Sequence, residues 1–561
     1  MEGHIRNSDA DTLPVINFKY NDLCSLLGED IPQKVLIERI PLIGADMHDT
    51  EGGEDDMSVE FFPDRPDLFS VEGLARALRA FLDISPGIRR YDVKKGNVCV
   101  NTDTSVVSVR PCFSCAIVRN ISVDDNLIRS MMELQEKLHL TIGRKRSKFA
   151  IGMHDLDKVK PPFVYKAVDP KSVSFVPLAS TEKMDLNTIL EKNPKGMEYM
   201  SLLDGKKKYP VIVDSKNDVL SFPPIINGSL TTVTTKTRNI FVDVTGNDEK
   251  MVKGALDIVV TALAERGGTV ESVDLNGKPS PDLSPKNITF SISKAEKFIG
   301  IKLGKNGIVE ALERMGIGIS STSGDEMTVE VPPIRLDIMH EVDIFEDIAI
   351  GYGFDRFGSP YTSVQTLGDL SPDTLFMEKL RDIMIGLGFM EVTTLTLSNP
   401  EEEFELSGLP MKESTEILNP ITEDHTCLRS YLMPSLMRIL RHNKHRDLPQ
   451  KIFEVGYVSQ EHRTVPHICG LMTASKTSFT EIKSITESLM REMSVEYEMA
   501  SCRYPTFIEG RGAAIIVNNK ELGQFGELSP NVITDFDITH PIVMFELDIT
   551  PIIVMKAGRL F

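Results

Sequence analysis

EFFPDRPDLFSVEGLARAL, residues 60–78, is the stretch of sequence that predicts the local fold of this chain most specifically. Two prolines, Pro63 and Pro66, fix the backbone dihedral φ on both sides of the Asp-Arg pair between them. Ser70 follows, and a serine at this point can cap the helix that the next residues predict. The segment therefore predicts a stiff turn that docks a helix, a structural role that requires no chemistry.

Length and composition predict several globular domains. The chain has 561 residues, of which 41% are hydrophobic and 26% charged. At roughly 100–200 residues per domain, this length predicts about three to five domains. Seven cysteines do not make a disulfide framework in so long a chain. We interpret the close pair, Cys112 and Cys115, as two small buried residues on a strand, because a zinc site would need two more ligands nearby.

The charge limits what the chain binds. The net charge is −20, whereas a protein that grips nucleic acid along its whole surface is usually basic. We therefore expect RNA contacts only at local basic patches or through a partner. No stretch approaches the ~20 apolar residues of a membrane span. The first residues, MEGHIRNSDADTL, lack the apolar core of a signal peptide, so the sequence predicts a cytoplasmic protein without a membrane contact.

The order of helical and strand patterns predicts a multidomain α+β protein. Leu127, Met131, Leu134 and Leu138 recur at helical spacing, for example, and a Pro- and Ser-rich stretch near residue 280 predicts a linker. We expect four domains: an N-terminal α+β domain over residues 1–105, a second α+β domain over 106–275, a small winged-helix-like domain over 283–359, and a strand-rich domain over 360–561.

RLDIMHEVDIFEDIAIGYGF, residues 335–354, predicts an acidic helix. Asp343, Glu346 and Asp347 stand at i, i+3 and i+4 and should share one face, where a hard cation such as Mg²⁺ would relieve their repulsion. Val342, Phe345 and Ala349 should pack inward. Asp337 stands just before the helix, where an aspartate caps free N–H groups. The alternative is a solvated acidic face with a capping aspartate.

The two quoted segments resemble the β subunit of phenylalanyl-tRNA synthetase of the archaeal and eukaryotic-cytosolic type. That family carries an Arg-x-Asp, then acidic residues, then a Tyr-Gly pair, and Arg335, Asp337 and Tyr352-Gly353 match it. The resemblance implies a Mg²⁺ site associated with the α/β subunit pair. Its four candidate ligands are Asp337, Asp343, Glu346 and Asp347.

Residues 106–275 resemble the family's editing module, which hydrolyses tyrosine mischarged on tRNA for phenylalanine. Ser221, Asp243 and Thr245 are the polar candidates at matching places, and Asn227 is a weaker one. Each alone is more often an ordinary turn or strand-end residue. No His/Ser or Cys/His pairing is evident in the sequence, so we expect a positioned water rather than a covalent intermediate. Basic runs at 144–148 and 206–208 could meet phosphates, or be solvated loops.

The last domain resembles the class II synthetase fold, an antiparallel sheet, in a version without working active-site motifs. Residues 451–456, KIFEVG, have no arginine before Glu454, although active class II cores hold ATP with one there. Arg429 and residues 510–512 match the β family, and we interpret them as structural or subunit-contact residues. The aminoacylation site is therefore expected on a separate α subunit.

The resemblance implies an α₂β₂ phenylalanine–tRNA ligase. It would attach L-phenylalanine to tRNA(Phe) with ATP and Mg²⁺, and ATP and L-phenylalanine would bind at the α subunit. This chain would supply scaffold, tRNA contacts and editing of mischarged Tyr-tRNA(Phe). The alternative is a stand-alone RNA-binding or scaffold protein built from synthetase-derived modules, without ligase activity.

Overall fold

A computed structural model describes residues 14–48, 53, 55–358 and 367–557, without the side chains of the last two. Residues 1–13, whose role the sequence left open, lie outside the described residues. The chain forms two compact units, residues 1–360 and 361–561, and each is described by itself. Helices and strands alternate throughout both, which confirms the prediction of a multidomain α+β protein. Within the described ranges, no helix is both long and apolar enough to cross a membrane.

The first unit begins with a small three-stranded antiparallel sheet and three helices. Their order along the chain is β1 (Val15–Lys19), α1 (Tyr20–Leu27), α2 (Gln33–Arg39), β2 (Ala45–His48), β3 (Asp56–Phe61) and α3 (Val71–Phe81). Ser70 caps α3 as predicted, because its side chain accepts a hydrogen bond from the Gly73 N–H at 3.2 Å. Gly73 is required there: a Cβ atom would lie 1.9 Å from the Asp67 carbonyl oxygen.

A ten-stranded sheet forms the centre of the first unit. The strands and helices of this region are β4 (Lys94–Thr102), β5 (Cys112–Arg119), α4 (Asp125–Leu140), β6 (Phe149–Asp155), β7 (Phe163–Val168), β8 (Ser174–Phe175), β9 (Met184–Asp185), α5 (Leu186–Lys192), α6 (Pro194–Tyr199), β10 (Tyr209–Val213), β11 (Val219–Phe222), β12 (Ile226–Asn227), β13 (Ile240–Gly246), α7 (Glu249–Glu265), β14 (Thr269–Leu275) and β15 (Lys278–Ser280). The strand order is β12-β11-β10-β7-β4-β14-β5-β13-β6, with β15 paired to β14, while β8 and β9 pair separately.

The central strand of this sheet comes from outside the expected second domain. β4 runs parallel to both β14 and β7, although it precedes the boundary expected at residue 105. One hydrophobic core joins α1 and α3 to α4, α7 and one face of the sheet. The four predicted helical positions of α4, from Leu127 to Leu138, are all buried in it. Glu72 holds α3 against α4 and the end of α7, since its carboxylate accepts hydrogen bonds from Ser130 Oγ and Arg266 Nε, both at 2.7 Å.

A smaller α+β arrangement ends the first unit. It consists of β16 (Lys286–Ser291), α8 (Ile292–Ile299), α9 (Gly304–Arg314), β17 (Gly318–Ser323), β18 (Glu326–Val331) and α10 (Glu341–Tyr352), with β18 between β16 and β17. Phe345 and Ala349 of α10 are buried as predicted, but Val342 is 38% exposed. The prediction for Val342 was wrong because Ile344 and Ile348 take the inward positions.

The second unit is built on a seven-stranded sheet, with strand order β19-β22-β23-β27-β26-β25-β24, and a separate pair β20-β21. Its elements are α11 (Pro372–Gly386), β19 (Met390–Glu391), β20 (Leu397–Ser398), β21 (Cys427–Leu428), α12 (Met433–His442), β22 (Gln450–Gln460), β23 (Arg463–Thr473), α13 (Phe479–Glu492), β24 (Glu498–Ser501), β25 (Phe507–Val517), β26 (Lys520–Leu528), α14 (Pro530–Asp535), β27 (Ile542–Asp548) and α15 (Thr550–Ala557). Every pairing is antiparallel except β19 with β22, and separate cores form under α11, α13 and α15 and under α12 and α14.

Candidate functional site

A cavity of about 560 Å³ lies in the ten-stranded sheet domain. Strands β11 and β12 reach it from one end of the strand order, and β13 and β6 from the other, so the sheet curls around it. Its walls are mostly apolar and include Leu127, Met131, Met132, Phe222 and Ile225. Ser221, Asn227 and Asp243, three of the four predicted editing residues, are brought together here.

Asp243 is held rigidly in the cavity lining. It lies in the middle of β13, between β5 and β6, and is 2% exposed. Its Oδ1 is 2.8 Å from Nε2 of His154, and Nδ1 of that histidine is 2.7 Å from Oγ1 of Thr231. An ionised carboxylate only accepts hydrogen bonds, so His154 donates from Nε2 to Asp243. The three side chains form one connected chain, which fixes the rotamer of Asp243.

His154 was missed by the sequence analysis, which considered only His/Ser and Cys/His pairings. The two partners stand 89 residues apart in the sequence, and the pairing of β6 with β13 brings them together. Gly152 lies directly opposite Asp243 and makes the room: a Cβ atom there would lie 2.4 Å from Asp243 Oδ1 and 2.8 Å from His154 Nε2. A glycine two residues before a histidine in a buried strand was the only sequence signal.

Ser221 places a hydroxyl group without a hydrogen-bond partner among the described residues in the lining of the cavity. It is 2% exposed on β11, opposite Asn227 of β12, and its Oγ has no hydrogen-bond partner among the described residues. A buried polar group without a partner costs about 1–3 kcal/mol, which a bound polar ligand or water would recover. Ser221 and Asn227 therefore offer hydrogen-bonding groups on the side of the cavity formed by β11 and β12.

Thr245, the fourth predicted residue, does not line the cavity. Its Oγ1 and its carbonyl oxygen accept from Arg110 at 3.0 and 2.9 Å. Arg110 also donates to the Arg146 carbonyl oxygen, and burial lowers the pKa of Arg110 to about 10, so it stays cationic at neutral pH. Thr245 therefore holds the arginine that anchors the segment around Arg146.

Arg146 is the buried member of the basic run at 144–148, whereas Arg144 and Lys145 are exposed. It is buried, donates to the carbonyl oxygens of Pro224 and Ile225 at 3.2 and 2.9 Å, and stacks over Tyr199 at 4.2 Å from the ring centre. It fixes a wall of the cavity and is not part of a solvated loop. Residues 144–146 all have positive φ, between 47° and 66°, a left-handed conformation that costs about 1–2 kcal/mol per residue.

The acidic helix is organised by Arg335. Its guanidinium donates to Asp337 at 3.0 and 2.7 Å and to Asp347 at 2.9 Å. Asp347 is buried, whereas Glu346 beside it is exposed. The prediction that Asp337 caps the helix was wrong: Asp343 accepts from the N–H groups of Met339 and His340 at 2.8 and 2.7 Å. Two of the four predicted metal ligands, Asp337 and Asp347, therefore already pair with the same arginine.

The carboxylates still lie close together. Partial desolvation of its carboxyl raises the pKa of Glu346, and the negative charges of its neighbours raise it further; these are Asp347, Asp64, Asp343 and Asp337. Asp64, from the Pro-Asp-Arg-Pro turn, is a member that the sequence analysis missed. Among the residues with described positions, no three acidic, histidine or cysteine side chains converge on one point for a metal ion. Hard oxygen donors suit Mg²⁺, but a site with four direct protein ligands does not fit this arrangement.

Comparison with known proteins covers nearly the whole chain. Family models for the B3/4 domain, the tRNA synthetase B5 domain and the phenylalanyl-tRNA synthetase β chain CLM domain match residues 118–262, 288–354 and 360–549. The phenylalanine–tRNA ligase β subunit of Methanosarcina barkeri is 45% identical over 96% of this chain and 99% of its own length. That of Archaeoglobus fulgidus is 41% identical, over 96% and 98%. The chain belongs to the phenylalanine–tRNA ligase β-subunit family.

A solved structure supports the same family fold. An N-terminal fragment of the phenylalanyl-tRNA synthetase β subunit from Pyrococcus horikoshii has a TM-score of 0.58 and 39% identity, and covers 60% of this chain and 99% of the fragment. A match along the full length of other β subunits favours the synthetase interpretation over a stand-alone scaffold protein. The chain is thus an aminoacyl-tRNA synthetase subunit, part of a ligase of protein biosynthesis.

In the CLM region of this β-subunit family member, buried polar residues hydrogen-bond to one another and to the backbone. Arg429 is 2% exposed and donates to Glu454 at 2.8 Å and to the Tyr457 carbonyl oxygen at 3.0 Å. Glu546 accepts from the N–H groups of Leu432 and Met433 at the start of α12, at 2.8 and 3.0 Å. These contacts support the structural interpretation of Arg429, since its guanidinium is committed to the fold.

Proposed function

We propose that this chain works in the cytoplasm as the β subunit of an α₂β₂ phenylalanine–tRNA ligase. The α subunit would bind ATP and L-phenylalanine and transfer the amino acid to tRNA(Phe), which both subunits contact. What supports this division is the class II-like second unit, in which Arg429 is bound to Glu454 and no arginine precedes that glutamate.

The test is activity with and without the partner. The chain co-expressed with its α subunit should charge tRNA(Phe), and the isolated chain should show no phenylalanine-dependent exchange between ATP and pyrophosphate. Exchange by the isolated chain would place an active site in it and contradict the proposal.

We further propose that the 560 Å³ cavity edits Tyr-tRNA(Phe). The observation that carries this is Asp243, a buried carboxylate fixed by His154 among apolar walls. An apolar pocket holds an aromatic ring but cannot strongly reject one that carries an added hydroxyl. A second pocket that accepts a hydrogen bond from the phenol solves the problem, because phenylalanine brings no donor to the carboxylate.

The chemistry required is hydrolysis of an ester. A water molecule attacks the tyrosyl carbonyl carbon, the bond to the terminal ribose oxygen of the tRNA breaks, and that oxygen takes a proton. Asp243 would bind the phenol and His154 would hold it in place. Ser221 and Asn227, on the β11–β12 side, would orient the water or the amino group of the substrate. Thr245 would act only through Arg110.

The test compares deacylation of Tyr-tRNA(Phe) and Phe-tRNA(Phe) by the assembled enzyme. Wild type should clear the tyrosyl ester much faster, and Asp243→Ala should lose most of that preference while phenylalanine charging continues. Asp214→Asn is the matched control, since Asp214 is equally buried in the same domain but outside the cavity. Equal clearance by wild type and Asp243→Ala would remove Asp243 from the site, and no clearance by either would remove editing.

We also propose a hydrated Mg²⁺ at the outward carboxylates of the acidic helix. Mg²⁺ usually keeps several waters and takes only one or two protein carboxylates, so the exposed Glu346 with Asp64 would suffice. Asp343 would contribute its second oxygen, and Asp337 and Asp347 would act through Arg335. Isothermal titration with Mg²⁺ and the stability of the α/β complex at low Mg²⁺ are the readouts.

The variants for this test leave the helix cap intact. Glu346→Gln combined with Asp64→Asn should abolish Mg²⁺ binding and weaken assembly at low Mg²⁺. Substituting Asp343 would also remove the cap and confuse the result. Glu341→Gln is the control, because Glu341 is on the same helix and pairs with Lys294. Unchanged Mg²⁺ binding in the double variant would mean that the acidic face is only solvated.

A further inference from the structure

A second cavity in the first unit, of about 220 Å³, is lined by arginines. It lies between α3, the loop at residues 85–90 and the start of the region after β18. Six of its lining residues are arginines: Arg65, Arg76, Arg79, Arg89, Arg90 and Arg335. One lining residue, Asp67, is acidic. In a chain of net charge −20, this is a marked local concentration of positive charge.

Five carboxylates pair with five of these six arginines, and they are distributed unevenly. Arg65 pairs with Asp67, Arg90 with Glu330, and Arg335 with Asp337 and Asp347. Arg79 and Arg89 share one carboxylate, Glu265, and Arg89 reaches it only at 3.6 Å. One carboxylate cannot neutralise two guanidinium groups, so positive charge remains in excess on this side of the cavity.

Arg76 adds a buried cation. It is 8% exposed, and its guanidinium donates to neutral acceptors: Thr261 Oγ1 and the Asp67 carbonyl oxygen at 3.1 Å, and Tyr91 Oη at 3.4 Å. Among the described residues, no carboxylate hydrogen-bonds to it directly. A buried charge is costly unless it is paired, and an anion in the adjoining cavity would pair it.

We propose that this cavity binds a phosphate group. Guanidinium groups match phosphate oxygens with two parallel hydrogen bonds, which makes arginine the preferred residue for this ligand. Arg89 and Arg90 have half-exposed side chains, 58% each, and can close on an anion, while Arg76 supplies the buried charge. The phosphate comes either from an RNA backbone or from free pyrophosphate. The site goes beyond the function proposed above, which uses neither Arg76 nor Arg89 nor Arg90.

The experiment uses the full chain assembled with its α subunit. The variant is Arg89→Ala with Arg90→Ala, which leaves the buried Arg76 in place. The control is Arg39→Ala, an exposed arginine of the same unit outside the cavity. The melting temperature is measured with and without sodium pyrophosphate at matched ionic strength. Binding of tRNA is measured as a function of salt concentration.

Two results support the site and identify the source. If pyrophosphate raises the melting temperature of wild type and Arg39→Ala but not of the double variant, the ligand is a free phosphate. If pyrophosphate has no such effect, but the double variant binds tRNA roughly tenfold more weakly with a salt slope reduced by about 1, the ligand is an RNA phosphate. If the double variant matches wild type in both measurements, the cavity binds no phosphate and the proposal fails.

Discussion

Asp243 of β13 and His154 of β6 are diagonal neighbours on the two paired strands, and a 2.8 Å hydrogen bond joins their side chains. His154 is fully buried, so neither partner can exchange its bond for one with bulk water. The pair should therefore act as a unit in recognising a phenol.

The first prediction tests the pair itself. Asp243→Ala and His154→Ala should each slow deacylation of Tyr-tRNA(Phe), and the double variant should be no slower than the worse single variant. Residues in one hydrogen-bond network usually couple by about 0.5–3 kcal/mol. Thr237→Ala is the control, because Thr237 is a buried hydroxyl of the same domain that donates to Asp155 instead. If the two single effects multiply in the double variant, the residues act independently.

The second prediction concerns the room that Gly152 leaves. Gly152→Ala should displace Asp243 or His154, because its Cβ atom would lie 2.4 and 2.8 Å from their polar atoms. Editing should then fall, while aminoacylation with phenylalanine continues. Gly386→Ala is the matched control: Gly386 is in α11, where a Cβ atom would contact nothing within 4 Å. Wild-type editing by Gly152→Ala would show that the pair tolerates a shift of this size.

The third prediction concerns the buried charges around Arg335. Arg335→Met leaves Asp347 buried without its partner, which typically costs about 3–5 kcal/mol. Adding Asp347→Leu should recover most of this loss, since an apolar pair can replace a buried ion pair. The free energies of unfolding of the single and the double variant are measured by urea unfolding of the full chain, with a signal from the first unit. Arg314→Ala, at a partly exposed pair with Asp83, should cost no more than about 1 kcal/mol. Equal losses in the single and double variants would contradict the account.

The fourth prediction is a pH dependence in the second unit. Glu403 is fully buried, and its Oε2 accepts from the N–H groups of Ser430 and Tyr431 at 2.9 and 3.1 Å. Burial raises the pKa of Glu403 from 4.5 to about 7, although those two donors oppose the shift. Because the pKa of Glu403 is higher in the folded state than in the unfolded state, the protonated carboxyl contributes to the free energy of unfolding. This contribution is complete below pH 4.5 and is lost as the pH rises through about 7.

The loss amounts to about 3 kcal/mol by pH 8, at 1.36 kcal/mol per pKa unit. Glu403→Gln, which cannot ionise, should melt at a higher temperature than wild type at pH 8 and should lose this dependence between pH 5 and 8. Glu401→Gln, at an exposed position in the same turn, should follow wild type. Parallel melting curves for Glu403→Gln and wild type across this range would rule out Glu403 as the cause.

Local pattern predicted the elements well and the site only in part. The spacing of Leu127 to Leu138 and the serine at position 70 specify α4 and the start of α3, because each depends on neighbours along one helix. Val342 was misplaced because spacing alone does not reveal that Asp347 turns inward to meet Arg335. The expected linker near residue 280 contains β15, whose pairing with β14 is not a local property.

The editing candidates came from resemblance, and the structure shows why residue patterns could not supply the rest. Asp243 and His154 meet through the pairing of β6 with β13, and Ser221 lines the same cavity as Asp243 only because the two ends of the sheet come together. Thr245 matched the family's pattern, yet its neighbours on β13 give no sign that it binds Arg110 instead of lining the cavity. Long-range register, not residue type, decides which polar groups converge.

The position of β4 matters to anyone who wishes to transplant the ten-stranded sheet domain into another synthetase. A cassette cut at residue 106 would omit Lys94–Thr102, and β7 and β14 would each lose their parallel partner in the middle of the sheet. Two unpaired edges of this kind invite association between copies. A graft should therefore begin before residue 94. The unit to transplant includes the end of the segment expected to belong to the preceding domain.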